Sequence, residues 1–190
     1  MNSASKELGV NSKAKEDNIK EKQKQSENLA NAIYQNISTA LDSIEEILKL
    51  SKDERLTKEL KDEKLAYTVI KNDLLDLCLK INIKPKDNNI IEKARLWTSI
   101  KLTTLADKST RHLAEMMLIG TVMGNLTCYK DLCDHKGVDK NLYDLLNHLN
   151  ILEEQNFNNL KNFLKEGYYG GLVRNFTYSN FIVCNPIYYC

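Results

Sequence analysis

Proline and glycine are scarce in this 190-residue chain, two and seven residues respectively. That scarcity nearly excludes an all-β fold, which needs many tight turns. A surplus of one charge is also missing: 27 basic side chains stand against 26 acidic ones, for a formal charge of +1. Such a balance leaves no electrostatic footprint for nucleic acid or an anionic membrane. The longest apolar stretch, Leu113 to Tyr129, contains Glu115, Thr121, Asn125 and Thr127. It falls short of the roughly 20 residues of a membrane span and reads as a helix buried in a protein. A secretory signal needs an apolar run near the start, and the first 25 residues hold almost no apolar side chains. The cytoplasm is therefore the expected compartment, and 1–25 is expected as a disordered polar tail. There is no Gly-rich phosphate loop, no G-x-S-x-G and no recognisable Cys–His catalytic signature.

What is present suits a helical core. Apolar residues make up 42% and charged residues 28%, enough of each for a packed interior and a solvated surface. Between Ser26 and Glu166 the only helix breakers are Pro85, Gly120, Gly124 and Gly137. Leu29, Ile33, Ile37, Leu41, Ile44 and Leu48 recur at spacings of four and three and predict a helix over 27–50, with Ser26 as its N-cap. Ser51 and Glu54 read as a capping box that opens a second helix over 52–82. Its seam is Leu56, Leu60, Tyr67, Ile70, Leu74, Leu77 and Ile81, broken by Glu63, and Lys84-Pro85-Lys86-Asp87 is expected to stop it. The stretch 88–134 is too long for one helix among these neighbours. The capping residues Asp107, Ser109 and Thr110 divide it into a shorter helix over 88–106 and a third bundle helix over 110–134. Gly120 and Gly124 are expected to let a neighbouring backbone approach. Asp139 caps a fourth helix over 139–165, with Leu142, Leu145, Leu149, Leu152, Asn156, Leu160 and Phe163 on one face.

Short connections 1–2 and 3–4, with a long link between helices 2 and 3, give the ferritin-like type of four-helix bundle. The expected fold is thus all-α, a ferritin-like four-helix bundle over 26–166 with a partly helical crossover. Residues 167–190 differ from it: five Tyr, two Phe, no acid and one Arg, Arg174. They read as a poorly ordered or extended aromatic tail, or as the product of an altered reading frame. The five cysteines, 78, 128, 133, 184 and 190, are odd in number and unevenly spread. They read as buried or idle thiols. A zinc site starting from Cys128, Cys133 and His135 would need Cys184 and Cys190 as well.

Thr104-Leu105-Ala106-Asp107-Lys108-Ser109, His112-Leu113-Ala114-Glu115-Met116-Met117 and Gly120-Thr121-Val122-Met123-Gly124 resemble uncharacterised clostridial proteins with ferritin-like bundles. Glu59-Leu60 before Tyr67, the Lys84–Asp87 turn, and Glu153-Glu154 before Asn159-Leu160 fit the same pattern. The likeness covers about residues 27–165 and implies the fold without an activity.

Di-iron bundles of this class need four inward carboxylates and two histidines, with Glu-x-x-His on two helices. Glu45, Glu63, Glu115 and Glu153 supply one carboxylate on each helix, and His112 lies three residues before Glu115. No Glu-x-x-His occurs, since Glu63 is followed by Ala66 and Glu153 by Asn156. The leading expectation is a structural or interaction protein without catalysis and with no cofactor. Against it stands a carboxylate-bridged protein that binds or oxidises iron or manganese through Glu45, Glu63, His112, Glu115 and Glu153. A spore-associated structural protein is a further alternative. The partner is open, and self-association into a homo-oligomer is compatible with the pattern.

Overall fold

The computed structural model describes residues 4–87, 107–134 and 138–165. Within them the chain forms four helices: α1 (Ala4–Leu50), α2 (Glu54–Lys80), α3 (Thr110–Asp134) and α4 (Lys140–Lys165). No strand occurs among the described residues, so the fold is all-α. The expected helix over 88–106 and the aromatic segment 167–190 lie outside the described residues, as do His135, Cys184 and Cys190.

Each boundary has a local cause. Between α1 and α2 the N-cap is Asp53, whose Oδ1 accepts from the backbone N–H groups of Arg55 (2.8 Å) and Leu56 (3.3 Å). The expected Ser51–Glu54 box does not form. Ser51 instead donates to the Asp53 carbonyl and accepts from Thr57 Oγ1. Replacing Asp53 by alanine should therefore cost about 1 kcal/mol, read as a lower denaturation midpoint at unchanged m-value.

α2 stops before the proline rather than because of it. Asn82 takes a left-handed conformation (φ 55°), its N–H reaches Leu79 O, and Ile83 N–H reaches back to Cys78 O at 2.8 Å. This is a Schellman-type end with asparagine in the glycine position and the buried Ile83 packing behind it. α3 opens with Ser109 Oγ accepting from His112 N–H, while Asp107 accepts from Ser109 N–H. Asp139 caps α4 through Asn141 and Leu142.

The start of α1 departs from expectation. The helix continues back to Ala4 through the polar segment, and its side chains from 15 to 24 are exposed. Ser26 is accordingly no N-cap. It is buried inside the helix, and its Oγ accepts from Asp139 N–H at the start of α4.

Contacts between helices fix their directions. Lys64 pairs with Glu45 and Lys71 reaches Ser38, so α2 runs antiparallel to α1. Asn36 meets Gly124 and Cys128 while Ser26 meets Asp139, so α3 also opposes α1. Asn125 meets Asn150 across α3 and α4, and Glu59 meets Asn159 across α2 and α4. α1 and α4 therefore point one way and α2 and α3 the other. In cross-section the order is α1, α2, α4, α3, with α2 and α3 at opposite corners. Lys86 lies beside Asn31 at one end of the bundle, whereas α3 begins at the other. α2 and α3 are thus parallel and diagonal, the end of one lying at the opposite end of the bundle from the start of the other.

The core follows the periodicities: Leu29, Ile33, Ile37 and Ile44 from α1 meet Leu56, Leu60 and Leu74 from α2, Leu113 and Met117 from α3, and Leu142, Leu149 and Leu160 from α4. At about 25 cal/mol per Å² of apolar surface, burial of these side chains is the main force closing the bundle. No helix among the described residues is long and apolar enough to cross a membrane.

Candidate functional site

Seven residues from all four helices meet at the middle of this core: Asn36 on α1, Glu63 and Tyr67 on α2, Gly124 and Cys128 on α3, and Glu153 and Asn156 on α4. Heptad-like spacing on α2 places Glu63 and Tyr67 one turn apart on the seam, and on α4 Glu153 and Asn156 are three apart. Both carboxylates are sealed from water, Glu63 at 3% exposure and Glu153 at 1%.

Among the described residues Glu63 has no counter-charge. Burial, with the nearby Glu59 and Glu153 carboxylates, pushes its carboxyl up from 4.5 to about 8. Glu153 is pushed up to about 7 by burial, while the hydrogen bond from the Tyr67 hydroxyl pulls in the opposite direction. Tyr67 itself is raised well above the usual phenol range, first by burial and then by Glu153. Both Glu63 oxygens, Glu153 Oε2 and Asn156 Nδ2 are buried without a hydrogen-bond partner. A buried polar atom left in that state costs roughly 1–3 kcal/mol.

On the α3 side the cluster is closed by contact. Asn36 donates from Nδ2 to Gly124 O and to Cys128 Sγ, both at 3.3 Å. Glu153 Oε1 fills the space where a side chain at position 124 would stand, 2.7 Å from an ideal Cβ. Burial raises the Cys128 thiol to about 12, so it stays protonated and unreactive.

Of the five sequence candidates, the structure brings Glu63 and Glu153 together, places Glu45 and Glu115 at the surface, and leaves His112 half-buried at the start of α3 with its Nε2 enclosed and without a hydrogen-bond partner. Glu45 is half-exposed and pairs with Lys64 at 2.9 Å, which holds its carboxyl below the ordinary range. Glu115, the one charge in an apolar stretch, was a candidate inward carboxylate in the metal-binding alternative. It is 56% exposed and lies 3.9 Å from the ring of His112. The reason is that α3 is apolar on its outer face as well, so a lone charge does not mark the inside. Cys128 is buried and Cys133 exposed, so these two do not share a face. No group of three or more His, Cys, Asp or Glu able to hold a metal ion occurs among the described residues.

Tyr67 and Asn156 stood on the predicted seams, but neither was read as a partner of a carboxylate. Asn36 carried no signal: it sits one residue before Ile37, and only packing against α3 gives it a role. Two surface clefts, one lined by Gln23, Glu27 and Asn82 to Lys86 and one by Lys52, Glu54, Thr57, Lys58 and Lys61, include none of the cluster residues. No family model, curated protein or solved structure matches the chain.

Proposed function

We propose that this chain is a ferritin-like helical bundle with a structural or interaction role, in which Glu63 and Glu153 serve as neutral, protonated core groups. One observation carries the reading: two carboxylates lie together in the core, and among the described residues no cation stands beside them. Ionised, each would bear a large desolvation cost; protonated, each is a polar side chain of ordinary shape. The helix directions and the long link between diagonal helices support the ferritin-like arrangement. The polar groups favour one register of the four helices, because any slip buries Glu63 or Glu153 against leucine.

A second reading rests on the orphaned atoms. Three unpartnered carboxylate oxygens suit a hard cation, so iron or manganese held by Glu63 and Glu153 is the alternative. Metal analysis of protein purified without a tag separates the two. The structural reading expects no stoichiometric metal and a Glu63→Gln variant as helical as the parent. About one equivalent of iron or manganese, lost in Glu63→Gln and in Glu153→Gln, would establish the alternative.

A further inference from the structure

α3 carries apolar side chains on both faces. Leu113, Met117 and Leu132 point into the core. On the other face Ile119, Val122, Met123 and Leu126 are 58%, 38%, 62% and 47% exposed. Positions i, i+3, i+4 and i+7 form one continuous stripe on a helix. The exposed Leu65, Val69, Leu75 and Leu79 of α2 make no such stripe: they fall into two separate pairs, Leu65 with Val69 and Leu75 with Leu79, split by exposed Asn72 and Asp73. A contiguous apolar stripe rimmed by polar residues marks an interaction surface.

We propose that the α3 stripe binds a second copy of this chain, with the two α3 helices antiparallel about a two-fold axis beside Val122 and Met123. The charges select both the partner and the direction. Glu115 and Lys130 are exposed on the stripe's face at its opposite ends, and Arg111 and Asp134 are exposed one turn further out at each end. Antiparallel pairing sets Ile119 beside Leu126 of the partner subunit and Glu115 beside Lys130 of the partner subunit. Arg111 then faces Asp134 of the partner subunit, and the two-fold repeats every contact. Parallel pairing would oppose Glu115 to its own copy and Lys130 to its own copy, and like charges there repel. The stripe is therefore complementary to itself in one orientation only. This deepens the interaction role proposed above and uses none of the buried cluster, so metal analysis and the test below fail independently.

Sedimentation of the full chain over a range of concentrations tests the pairing. The expected result is a dimer that dissociates in roughly the micromolar range, as befits a small interface. Met123→Glu should weaken it by about tenfold or more with helicity unchanged, because the side chain is already exposed. Glu115→Lys and Lys130→Glu should each weaken it by about tenfold, and the double reversal should return to within about threefold of the parent. A monomer at every concentration overturns the proposal, including one whose melting temperature falls on Met123→Glu because residues 166–190 cover the stripe. So does a dimer indifferent to Met123→Glu, or a double reversal weaker than either single change.

Discussion

Raising the pH from about 5 to about 9 should lower the melting temperature of the bundle by about 10 °C or more, while leaving its helicity below the transition unchanged. The cause is the pair Glu63 and Glu153, whose carboxyls sit at about 8 and about 7 in the folded chain against 4.5 when solvated. A carboxyl raised on folding holds its proton longer in the folded state than in the unfolded one. Below about pH 4.5 both states are protonated and nothing is lost. Between about 4.5 and 8 the unfolded chain releases protons that the bundle keeps, so stability falls steadily across that window. A tenfold change in proton affinity between the two states is worth about 1.4 kcal/mol, and in a domain of this size each kcal/mol moves the melting temperature by about 2–4 °C. Glu45 and Asp53, whose carboxyls are lowered by Lys64 and Arg55, act oppositely and only as the pH drops below the ordinary carboxylate range. The double variant Glu63→Gln, Glu153→Gln should flatten the profile and melt higher than the parent at about pH 9. A parent profile that instead rises with pH would mean that both groups are ionised and neutralised by a bound cation.

Gly124→Ala should destabilise the protein by about 1–3 kcal/mol, whereas Gly120→Ala, one turn away, should stabilise it by about 0.5–1 kcal/mol. Both changes improve intrinsic helix propensity by a similar amount. At position 120 the new methyl meets nothing within 4 Å. At 124 it stands 2.7 Å from Glu153 Oε1, 3.0 Å from Glu153 Cδ and 3.1 Å from Asn36 Oδ1. Glu153 is sealed in the core and has no solvent to swing into, so the clash converts into overpacking of the polar cluster. Chemical denaturation of the two variants side by side reads the difference directly. Equal stabilisation of both would show that the cluster is loose enough to accommodate a methyl group, and would remove the argument for a tightly set Glu153.

Helices were legible here because the code that specifies them is local. Leu29, Ile33, Ile37 and Ile44 announce a buried face through spacing alone, and the same holds for Leu56, Leu60 and Leu74 and for Leu142, Leu149 and Leu160. The interruption at Glu63 was equally visible, since a carboxylate in a leucine seam has nowhere to go but inward. Caps were less so. Ser51, Asp53 and Asp139 are all competent to accept from free N–H groups, and which residue does so depends on the path of the connection into the helix.

By itself, the sequence determined the four helices of the bundle, the faces of α1, α2 and α4 that close it, and Glu63 as the break in a core seam. Periodicity, composition and the scarcity of glycine and proline act within a few residues, so no partner helix is needed to read them. Only the tertiary structure decided which of two apolar faces of α3 is the inside. That choice sent Glu115 to the surface, buried Cys128 and placed Gly124 against Glu153. It depends on where α1 and α4 stand relative to α3, and so on contacts such as Asn36 to Gly124 that span 88 residues of chain. An apolar residue carries no label for the neighbour it will meet. For a helix with apolar side chains on both faces, direction is therefore set by packing and not by pattern.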